Sequence, residues 1–205
     1  MIDKLNNLTR EQKASKFYEE YYDDMDIPQE DKEKRIKLAE EIDDIFFWLL
    51  GVVAIMAFTG EVIDTESLIT SVQYRLFDIE NVNVRYVSEH IVRLAGETVE
   101  TTVERRDEEY FLSDERAMDI AAGEAHTFYE YEELQDAWEN GKTMKRWCAF
   151  RDRRTRKTHS EADGKTIPID ELFEIGGSFL MCPKDTSHDA SLKEIASCRC
   201  WLEFL

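Results

Sequence analysis

Fourteen consecutive uncharged residues, 45–58, limit the folds open to this acidic chain, whose 205 residues carry a formal net charge of -19. As an α-helix, this apolar run is about 21 Å long, which is short of the roughly 30 Å hydrocarbon core of a bilayer. We therefore expect a buried helix and no membrane partner. Because the run is apolar on every side, we expect other helices or partner subunits to surround it.

The sequence around this run predicts helices through the first two-thirds of the chain. Thr9 and Gln12 have capping-box spacing at the start of a first helix that ends near residue 24. Pro28 fits the first turn of a second helix, which contains the apolar run. Asp64 or Thr65 can cap a third helix, to about residue 77. Further helices are predicted over residues 82–105 and 113–138.

A different periodicity begins after Gly141. The side chains of residues 144–150 fall into two alternating sets, as they do in a β-strand. Asp163 with Gly164 is a turn signal before a second strand at residues 166–169. Two more short apolar runs, at residues 179–182 and 201–205, can join a small sheet. The sequence therefore predicts an α+β fold, in which a mainly helical N-terminal two-thirds is followed by a small loop-rich module with short β-strands.

The charge is distributed unevenly between these two parts. Residues 1–141 contain 14 Lys and Arg against 35 Asp and Glu, whereas residues 142–205 contain 12 against 10. Eight of the basic residues lie within 142–157, with Asp152 as the single acid. This segment alone has the sign that attracts DNA phosphates, whereas the acidic helical part suits protein partners.

All four cysteines lie in the C-terminal module, two of them as Cys198-x-Cys200. They are too few to staple a secreted fold, which favours a reducing compartment. The N-terminus lacks the pattern of a secretory signal, so we expect the protein to stay in the cytoplasm where it is made.

The same module carries spaced polar motifs: D-x-R-T-R-x-x-H from residue 152, D-G at 163, P-I-D-E at 168 and C-R-C at 198. As a set they resemble the C-terminal core of the phage Mu F-like head morphogenesis family, the minor capsid proteins of tailed phages. RAMDIAAGE at 116–124 extends the resemblance. The resemblance divides the chain into an acidic helical region, 1–112, and a Mu F-like core, 113–205, which includes the basic C-terminal module, 142–205. The motif residues are Trp147, Asp152, Arg154, Thr155, Arg156, His159, Asp163, Gly164, Cys198, Arg199 and Cys200.

The resemblance implies a minor head protein without enzymatic activity. Such a protein is made in the host cytoplasm and carried into the procapsid by contact with the portal protein and with scaffold or coat protein. In the virion it lies in the head interior near the portal, where weak, non-specific contact with packaged double-stranded DNA is a further expectation. The alternative is a metal-supported nucleic-acid-binding or hydrolytic domain, such as a toxin module, that shares the same core.

The basic segment has two interpretations. Arg154 and Arg156 are expected to brace the module by pairing with Asp152, Asp163 or Asp170, because Arg forms bidentate pairs with carboxylates. The remaining basic residues of the loop are expected to contact DNA phosphates or an acidic partner instead. These are Arg151, Arg153 and Lys157.

His159, Cys198 and Cys200 can supply three ligands of a zinc ion, because tetrahedral zinc prefers imidazole and thiolate. A fourth ligand would come from Cys182, His188, Asp152 or water. The alternative is a core of buried thiols, with His159 hydrogen-bonded to Asp152 or Asp163. A catalytic cysteine with His159 as base would need an orienting group and an oxyanion site, and the sequence shows neither. We therefore expect no cofactor, with zinc left open.

Overall fold

The computed structural model describes residues 8–23, 25, 27–80, 82, 84–186, 188 and 190–205. The chain is α+β, as predicted: helices dominate its first part, and short antiparallel strands lie in the C-terminal region. The helices are α1 (Arg10–Asp23), α2 (Gln29–Thr59), α3 (Thr65–Phe77), α4 (Val84–Glu104), α5 (Asp114–Glu139), α6 (Lys157–Ala162) and α7 (Leu192–Ile195), with a 3-10 turn at Glu109–Leu112. The strands are β1 (Met144–Cys148), β2 (Thr166–Pro168), β3 (Phe173–Ile175), β4 (Ser178–Leu180) and β5 (Trp201–Phe204).

The chain divides into two compact units. The described residues of the first lie within Met1–Asn81 and Ile91–Ala125, and those of the second within Val82–His90 and His126–Leu205. Helices α4 and α5 therefore contribute to both units. The division of the chain at residue 112 follows charge and family resemblance and stays a prediction.

Local capping explains where the helices of the first unit begin. The Thr9 N–H donates to the Gln12 side chain at 3.0 Å, and the Gln12 N–H donates to the Thr9 hydroxyl at 3.3 Å, which is the predicted capping box. Asp64 accepts the N–H of Ser67 at 3.1 Å and begins α3. Pro28 stands at the N-cap of α2 rather than in its first turn.

Helix α2 is only partly enclosed by the described residues: its own chain covers part of the apolar run, and cover by partner subunits stays a prediction for the rest. Phe46 and Leu49 are fully buried, but Ile55 is 64% and Phe58 92% exposed. The exposed residues Phe47, Gly51, Ile55 and Phe58 recur at intervals of three or four, so they lie on one side of α2, which the described residues leave uncovered. Within the described residues, α2 is also the helix that is long and apolar enough to cross a membrane by length and composition.

The second unit is built on a three-stranded antiparallel sheet in the order β2-β1-β5, beside the β3-β4 hairpin. The central strand β1 directs Lys145 and Trp147 to the same face, and both are fully buried. Trp147 packs edge-on against Phe173, with ring centroids 5.3 Å apart. Gly164 has φ +78° at the predicted turn before β2, a conformation that glycine adopts without strain. Helices α6 and α7 were not predicted, because four to six residues carry too little periodicity.

Candidate functional site

The three candidate zinc ligands meet in the core of the second unit. The Nδ1 atom of His159 lies 3.3 Å from the Cys200 Sγ and 3.5 Å from the Cys198 Sγ. All three ligand atoms lie within 4.8 Å of one another, and no side chain of the set is more than 2% exposed. The structure thus brings together residues that are about forty positions apart in the sequence.

The C-R-C spacing follows from the extended chain that leads into β5. Successive side chains of an extended segment point to opposite sides, so Cys198 and Cys200 face inward while Arg199 faces outward. The Arg199 guanidinium donates to the Asp152 carboxylate at 2.8 Å and lies 4.3 Å from the centroid of the Phe150 ring. The central arginine therefore ties the cysteine segment to the loop before α6.

Asp152 organises that loop. Its Oδ1 atom accepts the backbone N–H groups of Arg154 at 2.8 Å and Thr155 at 3.0 Å, and the Thr155 hydroxyl donates to the Phe150 carbonyl. Burial raises the pKa of Asp152, but the hydrogen bonds from Arg199 and Arg154 outweigh it and hold that pKa well below its usual range. The D-x-R-T segment is thus a closed turn that leads directly into the helix carrying His159.

The bracing predicted for the two motif arginines takes two forms. Arg154 pairs with Asp152 at 3.1 Å, as the sequence suggested. Arg156 binds a backbone carbonyl, that of Ala196, instead of a carboxylate. Because Ala196 lies two residues before Cys198, this contact also joins the α6 loop to the cysteine segment.

Glu194 is a functional candidate that the sequence did not reveal. Its Oε2 atom lies 3.2 Å from the His159 Nε2, close enough for an ion pair although outside hydrogen-bond geometry, and it accepts the Thr158 hydroxyl at 2.7 Å. The carboxylate is 2% exposed. A methyl group at Gly176 would collide with the Glu194 carboxylate, so this glycine makes room for it. Nothing in the local sequence distinguishes Glu194 from other helix-end glutamates.

The residues proposed as a fourth zinc ligand are paired elsewhere or lie outside the cluster. His188 pairs with Asp185 at 2.7 Å, and Asp152 is held by Arg199. Cys182 is fully buried but lies outside the ligand cluster. His159 therefore contacts two sulfurs and Glu194, and the expectation of a hydrogen bond to Asp152 or Asp163 is wrong.

The two inward-facing thiols differ in acidity. A hydrogen bond from Cys200, together with one from His159, holds the pKa of Cys198 well below its ordinary value. The same bond to Cys198 and burial raise the pKa of Cys200. Cys198 is thus the more acidic thiol of the pair.

The three residues proposed to contact DNA lie at the surface of the same loop and helix. Arg153 is exposed, and the side chains of Arg151 and Lys157 are 84% and 89% exposed. Arg151 also pairs with Asp163 at 2.7 Å, a bracing contact that the sequence did not predict. Asp163 in turn accepts the backbone N–H of Ala149 at 2.9 Å. Lys157 lies 3.6 Å from Glu161, one turn along α6.

Comparison with known proteins identifies the family. A family model described as "Phage Mu protein F like protein" matches residues 91–203, which is more than half of the chain and includes every motif residue. An NAD(+)--arginine ADP-ribosyltransferase of Enterococcus faecalis is 36% identical over 100 residues, which cover 46% of this chain and 20% of that protein. The chain thus spans about a fifth of the length of the curated relative it matches, and no solved structure matches it. The chain therefore belongs to the phage Mu protein F like family, a family of phage head proteins.

Proposed function

We propose that this protein is a minor head protein that acts in phage head morphogenesis and is bound to the portal and to coat or scaffold protein. The observation that carries the proposal is the family match over residues 91–203. In this proposal the chain is made in the host cytoplasm, enters the procapsid with its partners and lies in the head interior near the portal. It acts by binding and without catalysis.

The uncovered end of α2 supports contact with a protein partner. Phe58 is 92% exposed and Val62, in the loop that follows, is 91% exposed. Ile55 adds a third apolar side chain one turn earlier, at 64% exposure. Exposed apolar side chains grouped in this way are typical of protein interaction sites. We assign this group to the portal or coat contact.

Capture from cells in which a phage encoding the chain is induced tests the head assignment. Tagged wild-type chain should recover portal or coat protein and should be present in purified heads. A variant with Phe58→Ser and Val62→Ser should lose the captured partner. Leu192→Ser is the matched control, because Leu192 is 71% exposed but lies in the second unit. Absence of the chain from heads would refute the proposed function, and capture that survives the double change would refute the assigned contact.

We further assign the contact with packaged DNA to the loop and helix that carry Arg151, Arg153 and Lys157. The pair of Lys157 with Glu161 is exposed on both sides, and pairs of that kind contribute only about 0–1 kcal/mol. The Arg151 guanidinium is also exposed, although its partner Asp163 is only 19% exposed. DNA phosphates can therefore replace the carboxylates. Since the whole chain is strongly acidic, binding should be weak and should fall steeply with salt.

Gel-shift measurements at two salt concentrations test this contact. Replacing all three residues by serine should abolish binding at low salt. Because Arg151 also braces the loop, a double variant with Arg153→Ser and Lys157→Ser is the cleaner perturbation, and it should weaken binding strongly. Its matched control is Lys165→Ser with Lys193→Ser, which removes two exposed charges elsewhere in the same unit. An equal loss of DNA binding in both double variants, or DNA binding that does not change with salt concentration, would exclude this segment as the contact.

The second candidate is the alternative that the sequence left open, a toxin-like module that shares the Mu F-like core. Part of this chain also matches a protein named as an ADP-ribosyltransferase. In this alternative the core is a metal-supported nucleic-acid-binding or hydrolytic domain. Nuclease assays and metal analysis of the purified chain separate the two. Nuclease activity that is lost in His159→Ala would favour the toxin-like module over the head protein.

A further inference from the structure

Two sulfur atoms share one nitrogen in the core of the second unit. The His159 Nδ1 carries either one proton or one lone pair, so it can make a single linear hydrogen bond. The sulfurs of Cys200 and Cys198 nevertheless lie at nearly equal distances from it, 3.3 and 3.5 Å. In tetrahedral zinc, with Zn–N near 2.0 Å and Zn–S near 2.3 Å, the nitrogen-to-sulfur separation is about 3.5 Å. The two nitrogen-to-sulfur distances thus match those of one coordination tetrahedron.

We propose that His159, Cys198 and Cys200 bind one Zn²⁺ ion, and that Glu194 is a positioning residue which orients the imidazole toward it. This inference does not depend on the proposed head function. Two thiolates and an imidazole favour zinc over magnesium or calcium, which prefer oxygen ligands. A water molecule completes the tetrahedron, since the described residues supply three ligands.

The second nitrogen of His159 supports the same assignment. Nε2 lies 3.2 Å from the Glu194 Oε2, on the side of the ring away from the sulfurs. A carboxylate beside the second imidazole nitrogen of a ligating histidine recurs in zinc sites, where it orients the ring. Glu194 is itself held by the Thr158 hydroxyl and is 2% exposed, so its position is fixed.

The charges and the connections of the cluster fit a structural metal ion. When zinc binds, the two thiols release their protons to solvent, and the two thiolate charges offset the charge of the ion. Residues from α6 and from the segment before β5 then share one ion. Because no ligand is more than 2% exposed, we assign to the ion the role of joining these two elements.

Metal analysis of the full-length chain tests the site. Protein purified from zinc-supplemented medium should contain about one zinc ion per chain, and Cys148→Ser should keep it. Cys148 is the matched control because it is buried in the same unit but lies outside the ligand cluster. Cys198→Ser and Cys200→Ser should each lose the ion. Zinc well below one per chain in the wild type, or zinc retained in both ligand variants, would overturn the assignment.

Cobalt spectroscopy keeps the test valid if the ligand variants fail to fold. Wild-type protein loaded with Co²⁺ should show thiolate-to-cobalt charge transfer and the intense visible bands of tetrahedral cobalt, and added Zn²⁺ should abolish both. A spectrum of octahedral cobalt alone would overturn the site. Glu194→Gln keeps the volume of the side chain but removes its charge, and it should weaken zinc binding by about 10- to 100-fold in competition with a chromophoric chelator. Unchanged affinity in this variant would overturn the role of Glu194.

Discussion

Replacing Asp152 by alanine should destabilise the second unit by about 2–4 kcal/mol. The change removes acceptors from two backbone N–H groups, those of Arg154 and Thr155, and separates Arg199 from its carboxylate. Hydrogen bonds to charged groups contribute about 1.5–3 kcal/mol each, but Asp152 is 26% exposed, so the sum is discounted for solvent screening. Loss of the carboxylate also leaves the Arg199 guanidinium, which is only 12% exposed, without this partner, and this adds to the destabilisation.

Urea unfolding of the full chain, followed by far-UV circular dichroism, measures this effect. Asp152→Asn should cost less, about 1 kcal/mol, because the amide oxygen can still accept the backbone N–H groups. Asp170→Ala removes an exposed carboxylate in the same unit and should change stability by less than about 0.5 kcal/mol. If Asp152→Ala unfolds at the same urea concentration as Asp170→Ala, the carboxylate does not organise the loop.

The pH dependence gives this prediction a definite sign. The pKa of Asp152 is lowered in the folded chain from its ordinary value of 3.8. Its stabilising contribution should therefore be present above about pH 4 and be lost progressively as the pH falls below that value. The difference in stability between wild type and Asp152→Asn should shrink over the same range. A difference that persists unchanged at low pH would contradict the ionic part of the argument.

Two further predictions concern a buried charge and the apolar helix. Burial lowers the pKa of Lys145 from its ordinary value of 10.5 to about 8. Between these two pH values the unfolded chain binds more protons than the folded chain, so the free energy of unfolding should rise with pH. Lys145→Met should remove that rise when unfolding midpoints are compared at pH 8 and pH 10, and an equal rise in both proteins would refute it. The full chain should remain in the supernatant after high-speed centrifugation without detergent, because α2 carries Asp43, buried and paired with Arg10 at 2.8 Å, before its apolar half. Sedimentation with membranes that resists high salt would show that α2 inserts.

The parts of the fold that were predicted correctly depend on neighbouring residues. The capping pairs at Thr9 and Asp64 act over three positions, so the sequence contains the whole interaction. The extent to which α2 is covered depends instead on which of its sides α1 and α3 pack against. That information lies in other segments, and the composition of the apolar run cannot supply it.

In the candidate site, the sequence singled out the residues whose side-chain chemistry is specialised and missed the others. His159 and the two cysteines stand out because few residue types bind soft metals. Glu194 comes from a four-residue helix, and only the fold places it beside His159. Lys145 was unexpected for a related reason: strand alternation predicts that it shares a face with Trp147, but not that this face is the core.

The motifs form two connected layers around the same turn. In the outer layer, Arg199 holds Asp152, and Arg156 holds the carbonyl of Ala196. In the inner layer, Cys198 and Cys200 meet His159. Since Arg199 stands between the two cysteines and Asp152 closes the turn that precedes α6, each outer contact fixes the backbone that carries an inner residue. The spacing of D-x-R-T-R-x-x-H and C-R-C therefore allows the same two segments to form the outer and the inner contacts together.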